Sequence, residues 1–369
     1  MRRSVYKNKG QRMHALNANP MGTDGFEFVE YTASSADGLE ALKLLFSQLG
    51  FAEIACHRHK SVWLYRQGDI NFIVNGESVG QASAFAAQHG ASVNALAFRV
   101  TDSQQALTYA LSQGGVQAPY QSGPMELSIP ALEGIGGAYL YLVDRYGSDD
   151  IYSIDFEYYP DWQARLVKAN CGLKVIDHLT HNVFQGNMDK WAGYYEKLAN
   201  FSEIRHFDIK GQASGLLSRA MTSPCGKIRI PINESHDNKS QIAEYLDQYK
   251  GEGVQHIALA CDDIYSSVQA LIANGVQFMS TPDTYYESID KRLPGHEEDV
   301  AKLKALGVLI DGDTSGTLLQ IFTDTVIGPV FFELIQRKGN EGFGEGNFQA
   351  LFESIELDQI RRGVLKVDE

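Results

Sequence analysis

From Gly25 onward the chain alternates short apolar runs of strand length with longer stretches whose apolar residues recur every three or four positions. Gly25–Tyr31 (GFEFVEY) is the first run and leads into an amphipathic stretch ending at Phe51, whereas residues 1–20 read as a loose arm. This alternation predicts an α+β layered fold rather than a helical bundle.

The plan repeats. Near Leu173 the sequence GLKVIDHLTHNV runs into GNMDKWAGYYEKLANF, a strand followed by a helix, with further strands predicted near Ser202–Ile209, Gly215–Met221 and Lys227–Ile232. Near Gly253 the pattern returns as GVQHIALACDDIYSSVQALIANGVQF, followed by GTLLQIFTD and GPVFFELIQR. Residues 91–117 follow this second pattern, setting Asn94 opposite Gln255 and Ala95 opposite His256, and residues 25–51 follow the unit at 173. Four copies of one strand-helix-strands unit result, and the turn-like Tyr158-Tyr159-Pro160-Asp161 divides them into halves, 1–160 and 161–369. Two segments depart from the repeat: Thr281–Leu306, where a Pro-broken polar stretch and a helix are inserted, and the Gly-rich loop after Arg337. That loop precedes a helix with Phe348, Leu351, Phe352 and Ile355 on one face, which either covers the sheet or gates a pocket.

At 369 residues the chain is long enough for a sizeable core, and its net charge of -14 argues against a large nucleic-acid or anionic-membrane surface. No apolar run reaches the roughly 18 residues of a membrane span, and the basic start MRRSVYKNKG lacks the apolar stretch of a secretory signal. Cys56, Cys171, Cys225 and Cys261 are widely spaced with no CxxC pair, so a reduced, cytoplasmic protein is expected.

Most of the histidines sit in polar surroundings or, like His14, in the arm. His206, His236 and His296 have charged or polar neighbours and are expected on the solvated surface, His57 and His59 flank an arginine, and His89 precedes a turn glycine. His178 and His256 differ: each lies in an apolar strand, at equivalent points of a repeated module 78 residues apart. They are either two satisfied core histidines or two groups facing one site. Glu333, in PVFFELIQ, is a carboxylate in an equally apolar strand, costly to bury unless paired or bound to a cation. His181 is an odd number of residues from His178 and should face the other way. Two histidines and a carboxylate suit a non-haem Fe(II) site with open positions, although Zn, Mn, Ni or Co accept the same donors, as does a glyoxalase-like isomerase.

These strand contexts resemble the 4-hydroxyphenylpyruvate dioxygenases, a family of the vicinal oxygen chelate superfamily, from about Gly25 to Gly363 and most closely in the second half. The resemblance implies repeated βαβββ modules forming two half-barrel domains, with a C-terminal helix closing the active-site pocket. It assigns His178, His256 and Glu333 as ligands to Fe(II). It carries substrate contacts onto Ser218, Asn233, Gln241, Gln255, Gln320, Phe322, Phe331, Phe343, Asn347 and Phe348. The implied partners are 4-hydroxyphenylpyruvate and O2, the implied reaction is oxidative decarboxylation with ring hydroxylation and side-chain migration to homogentisate in tyrosine catabolism, and a homodimer or homotetramer is expected. Hydroxymandelate synthases, extradiol ring-cleaving dioxygenases and non-catalytic binding proteins of the same fold are the alternatives. The first half is expected to lack the metal, with Ala95 at the place of His256, Glu30 aligned with His178 and Glu157 near the place of Glu333. An acidic protein should slow an anionic substrate, so the metal's own charge is expected to compensate locally.

Overall fold

The computed structural model describes residues 18–119, 122, 126–148, 150–210, 215–235, 240–347 and 349–351. Its strands in the first half are β1 (Thr23–Thr32), β2 (Ala52–His57), β3 (Val62–Gln67), β4 (Ile70–Asn75), β5 (Ser92–Val100), β6 (Ala131–Glu133), β7 (Tyr139–Val143) and β8 (Phe156–Tyr158). Those of the second half are β9 (Leu173–Val183), β10 (Ser202–Lys210), β11 (Gly215–Thr222), β12 (Arg229–Ser235), β13 (Gly253–Cys261), β14 (Leu309–Asp313), β15 (Gly316–Phe322) and β16 (Phe331–Lys338). They form two curled eight-stranded sheets, ordered β6-β7-β5-β1-β4-β3-β2-β8 and β10-β11-β12-β9-β13-β16-β15-β14.

The second sheet is two complete βαβββ modules joined through the antiparallel pair β9 and β13. The first sheet joins its modules through β1 and β5 in the same way, but its second module supplies only β5, β7 and β6 on that side. In the place of β14 this module has, among the described residues, only a single bridge, Gln117 to Leu132 on β6, and β8, which follows the module, pairs with β2 at the opposite edge. In each half the helix of the second module starts at an aspartate two residues beyond the preceding strand: Asp102 accepts from the Gln105 N–H at 2.8 Å and Asp263 from the Tyr265 N–H at 3.1 Å. The shared cap is the local reason that TDS and DDI both switch strand to helix.

Central strands are buried nearly throughout, which explains their unbroken apolar character. One continuous apolar core runs through both halves, and Phe72 of the first meets Phe332 of the second with ring centroids 5.9 Å apart. The insertion forms short helices over Asp283–Glu287, Ile289–Arg292 and Val300–Leu306, with Tyr285, Tyr286, Ile289 and Leu303 buried. Beyond the Gly-rich loop, residues 345–347 and 349–351 are helical and Leu351 packs on the core, while Phe348, Phe352 and Ile355 lie outside the described residues. Among the described residues no helix is long and apolar enough to cross a membrane.

Candidate metal centre

Sheet register brings three dispersed residues together. Ala258 on β13 stands opposite His178 on β9 and opposite Glu333 on β16, so all three share one face. His256 is two residues from Ala258 along β13 and returns to that face. The His178 and His256 Nε2 atoms are 3.3 Å apart, and Glu333 Oε2 lies 3.3 Å from the first and 3.4 Å from the second.

Each histidine is held from behind by its sequence neighbour. The β9–β13 register shifts between the Ala258 and Leu259 pairs, leaving Asp177 as an extra residue beside His178, and shifts again between the Val254 and His256 pairs, leaving Gln255 extra. These bulges cancel the usual alternation, so adjacent residues meet: Asp177 Oδ1 lies 2.8 Å from His178 Nδ1, and Gln255 Oε1 lies 2.9 Å from His256 Nδ1. With Nδ1–H donating backward, a neutral imidazole points an Nε2 lone pair forward. Two such lone pairs and a carboxylate oxygen converging in a buried space repel unless a cation sits between them. A triangle of donors with these spacings suits an ion bonded at about 2.1 Å to each, with its far side open.

Burial pushes the His178 imidazole down, but the carboxylates of Glu333 and Asp177 more than offset this and raise it overall. For His256 burial prevails and favours the neutral, ligating form. Burial likewise pushes Asp177 up, yet its hydrogen bonds to Arg337 and His178 hold it well below the usual carboxylate range. Arg337 grips both Asp177 oxygens, Nε at 2.8 Å and Nη2 at 2.7 Å, and also donates to the Asn340 and Gly342 carbonyls of the following loop.

The remaining sequence-predicted positions divide. Phe331 stacks on His256 with centroids 4.9 Å apart, Phe343 meets His178 edge-on at 5.3 Å, and Phe322 lies edge-on to Phe331 at 6.0 Å. Ser218 on β11 pairs in register with Asn233 on β12, and Asn233 with Asn182 on β9, a polar row on the face that carries His178. Gln320 donates to Glu333 Oε1 at 3.2 Å and accepts from Asn347 at 2.8 Å. Gln241 is exposed at the first turn of its helix, and Phe348 lies outside the described residues.

Sequence reasoning missed Asp177, Arg337, Thr180 and Asn182. The last two are fully buried on the face that carries His178, with side-chain polar atoms that find no partner. The signal was available, since polar residues inside the apolar run VIDHLTHNV need a reason to be there. His181 does face away, bonding Tyr195 Oη through Nε2 at 2.7 Å. His206 is exposed, whereas the expectation of solvated surface fails for His296, whose covered side chain meets Asp290 at 2.9 Å. His89 is buried too, with Nδ1 2.6 Å from the Tyr249 carbonyl oxygen. His14 and His236 lie outside the described residues.

The alignment of Glu30 with His178 is corrected by register. Ala97 is to β5 what Ala258 is to β13, and its partners are Phe28 and Tyr141, so those two residues occupy the places of His178 and Glu333. Glu30 pairs with Ala95 as Thr180 pairs with His256. Glu157 pairs with Cys56 on the far edge, because β7 and not β8 is the counterpart of β16.

Comparison with known proteins agrees with this geometry. Residues 17–157 match the model of the hydroxyphenylpyruvate dioxygenase N-terminal domain, and residues 175–288 match that of the glyoxalase/bleomycin resistance protein/dioxygenase superfamily. A protein named hemolysin VllY from Vibrio vulnificus is 64% identical, covering 94% of this chain and 98% of its own length. A 4-hydroxyphenylpyruvate dioxygenase from Pseudomonas aeruginosa is 60% identical, covering 94% of this chain and 97% of its own length. Among solved structures, a mutant 4-hydroxymandelate synthase from Streptomyces coelicolor superposes with a TM-score of 0.78 at 25% identity, covering 92% of this chain and all of that one.

Proposed function

The chain belongs to the 4-hydroxyphenylpyruvate dioxygenase family, and from that premise we propose that residues 161–369 bind Fe(II) through His178, His256 and Glu333 and convert 4-hydroxyphenylpyruvate and O2 to homogentisate and CO2. The observation that carries the metal reading is the convergence of two forward-facing imidazole lone pairs and a buried carboxylate oxygen. When bound, Fe(II) supplies a centre at which a 2-oxo acid and O2 can meet and exchange electrons. Loss of CO2 from the 2-oxo acid provides the electron pair that oxygen reduction needs, so no external reductant enters, and the atoms of the two substrates equal those of the two products.

The chain's own residues bind and orient. Phe331, with Phe322 beside it, gives an aromatic wall for the substrate ring, and Phe343 covers the His178 side. Ser218, Asn233 and Asn182 form a polar row on the same face that suits the phenol end of the substrate. Asp177 and Gln255 keep each Nε2 free of its proton. Residues 1–160 form a half without metal in this reading, and the four free cysteines fit a cytoplasmic, reduced protein. The assembly is a homodimer or homotetramer, which sedimentation of the purified protein decides.

The test is anaerobic reconstitution with Fe(II), followed by substrate and O2, with the aromatic product identified and gas stoichiometry measured. Homogentisate with one CO2 released per O2 consumed is expected. The likeness to a 4-hydroxymandelate synthase makes 4-hydroxymandelate the specific competing product. Full Fe(II) occupancy without turnover sinks the substrate assignment.

A further inference from the structure

The insertion 281–306 breaks the modular repeat, yet a chain of hydrogen bonds links two of its side chains to Glu333. Arg292 Nη2 donates to Tyr285 Oη at 2.9 Å, and the Ile310 N–H donates to the same oxygen at 2.9 Å. Both lone pairs of the hydroxyl are then in use, so its own proton must point outward. Asn347 Oδ1 lies 2.6 Å away to receive it. The Ile310 carbonyl is also within reach, at the longer distance of 3.0 Å, and Arg292 Nη1 approaches the same Asn347 oxygen at 3.5 Å. Asn347 Nδ2 next donates to Gln320 Oε1 at 2.8 Å, and Gln320 Nε2 donates to Glu333 Oε1 at 3.2 Å.

The direction of this chain is fixed at both ends. A guanidinium can only give protons and a carboxylate can only accept them, so each amide between has one allowed orientation. Bonds aligned from a half-buried cation to a buried anion polarise one another. The outcome at Glu333 is a division of labour: Oε1 belongs to Gln320, and Oε2 is the oxygen that faces His178 and His256. The loop backbone is seated directly on this relay, because a Cβ at Gly344 would fall 1.7 Å from Gln320 Oε1. Asp311 adds a second tie, accepting the Gly346 N–H at 2.8 Å with Arg292 3.8 Å away.

We propose that Tyr285 and Arg292 are positioning residues, and that the insertion is a latch which seats Asn347, holds Gln320 against Glu333 Oε1 and thereby aims Oε2 at the metal. This rests on the reading that His178, His256 and Glu333 hold a divalent ion. A corollary concerns Gln320, whose carbonyl is taken by Asn347: it meets a substrate only as an N–H donor, so its partner there is an acceptor such as a keto or carboxylate oxygen.

The experiment titrates the metal-free, full-length protein with Co(II), reading affinity and the visible ligand-field spectrum, alongside the melting temperature without metal. Tyr285→Phe removes the outward proton at little steric cost. Asn347→Asp sets an acceptor against Gln320 Oε1, turns the amide over and brings its carbonyl to Glu333. Affinity is expected to fall about tenfold for Tyr285→Phe and toward a hundredfold for Asn347→Asp, with a changed Co(II) spectrum and a metal-free melting temperature near that of the parent. Parent-like affinity and spectrum in both variants overturns the relay, as does a loss that merely tracks a lower melting temperature. If the parent itself fails to bind Co(II), the metal reading falls first and the latch with it.

Discussion

The two sheets hold corresponding positions in the same register and fill them differently. In the second, Ala258 is flanked by His178 and Glu333, while in the first, Ala97 is flanked by Phe28 and Tyr141, whose rings lie 5.6 Å apart in an apolar cluster. The bulges are shared. Glu27 is the extra residue beside Phe28 as Asp177 is beside His178, and Asn94 is extra beside Ala95 as Gln255 is beside His256. Without a histidine to hold, Glu27 pairs with Arg99 at 2.5 Å, and Asn94 donates to Glu30 at 2.6 Å. The polar residue at each bulge is therefore part of the sheet's construction, and a site arises only where the next residue can use it.

The strongest way to break this contrast is to alter Glu333. Glu333→Gln keeps shape and removes charge, and binding of Fe(II) or Co(II) is expected to drop below detection in a metal titration. Phe28→Ala, at the position matching His178, should cost about 3–5 kcal/mol of stability while the folded protein keeps its full metal stoichiometry; urea unfolding and metal analysis read the two effects separately. Asp177→Asn should weaken metal binding by about 10–100-fold, whereas Glu27→Gln, its counterpart, should leave that affinity unchanged.

The smallest effect is one of pH. His181 occupies the register place of Tyr31, and burial pushes its imidazole down to about 3. The unfolded chain takes up a proton below about pH 6.5 and the folded one does not, so this contribution is complete above that pH and is lost as pH falls toward 3. The expected slope is about 1.4 kcal/mol per pH unit. Urea midpoints at pH 6.5 and 5.5 should separate more for the parent than for His181→Gln; equal separations refute the assignment.

Much of the site was legible because burial makes polar residues conspicuous. His178, His256 and Glu333 each interrupt an apolar strand, and the repeat put the two histidines at matching points. The supporting residues were hidden by the bulges: alternation places Asp177 on the face opposite His178, and only the register shift brings them to 2.8 Å. The same irregularity misled the comparison of halves, since counting along β1 selects Glu30 where pairing selects Phe28. Gln320 and Asn347, assigned to substrate by resemblance, are bonded to each other, and Gln320 in turn to Glu333, a relation between residues far apart in the chain.

By itself the sequence determined the repeated modules, about half of the strands and the three candidate metal donors, because periodicity and the cost of burying charge act locally. The tertiary structure decided which donors meet, which oxygen of Glu333 is free, and that β8 joins the opposite edge of its sheet. Those outcomes depend on strand register and on hydrogen-bond chains closed across the sheet, and one extra residue in a strand is enough to change them.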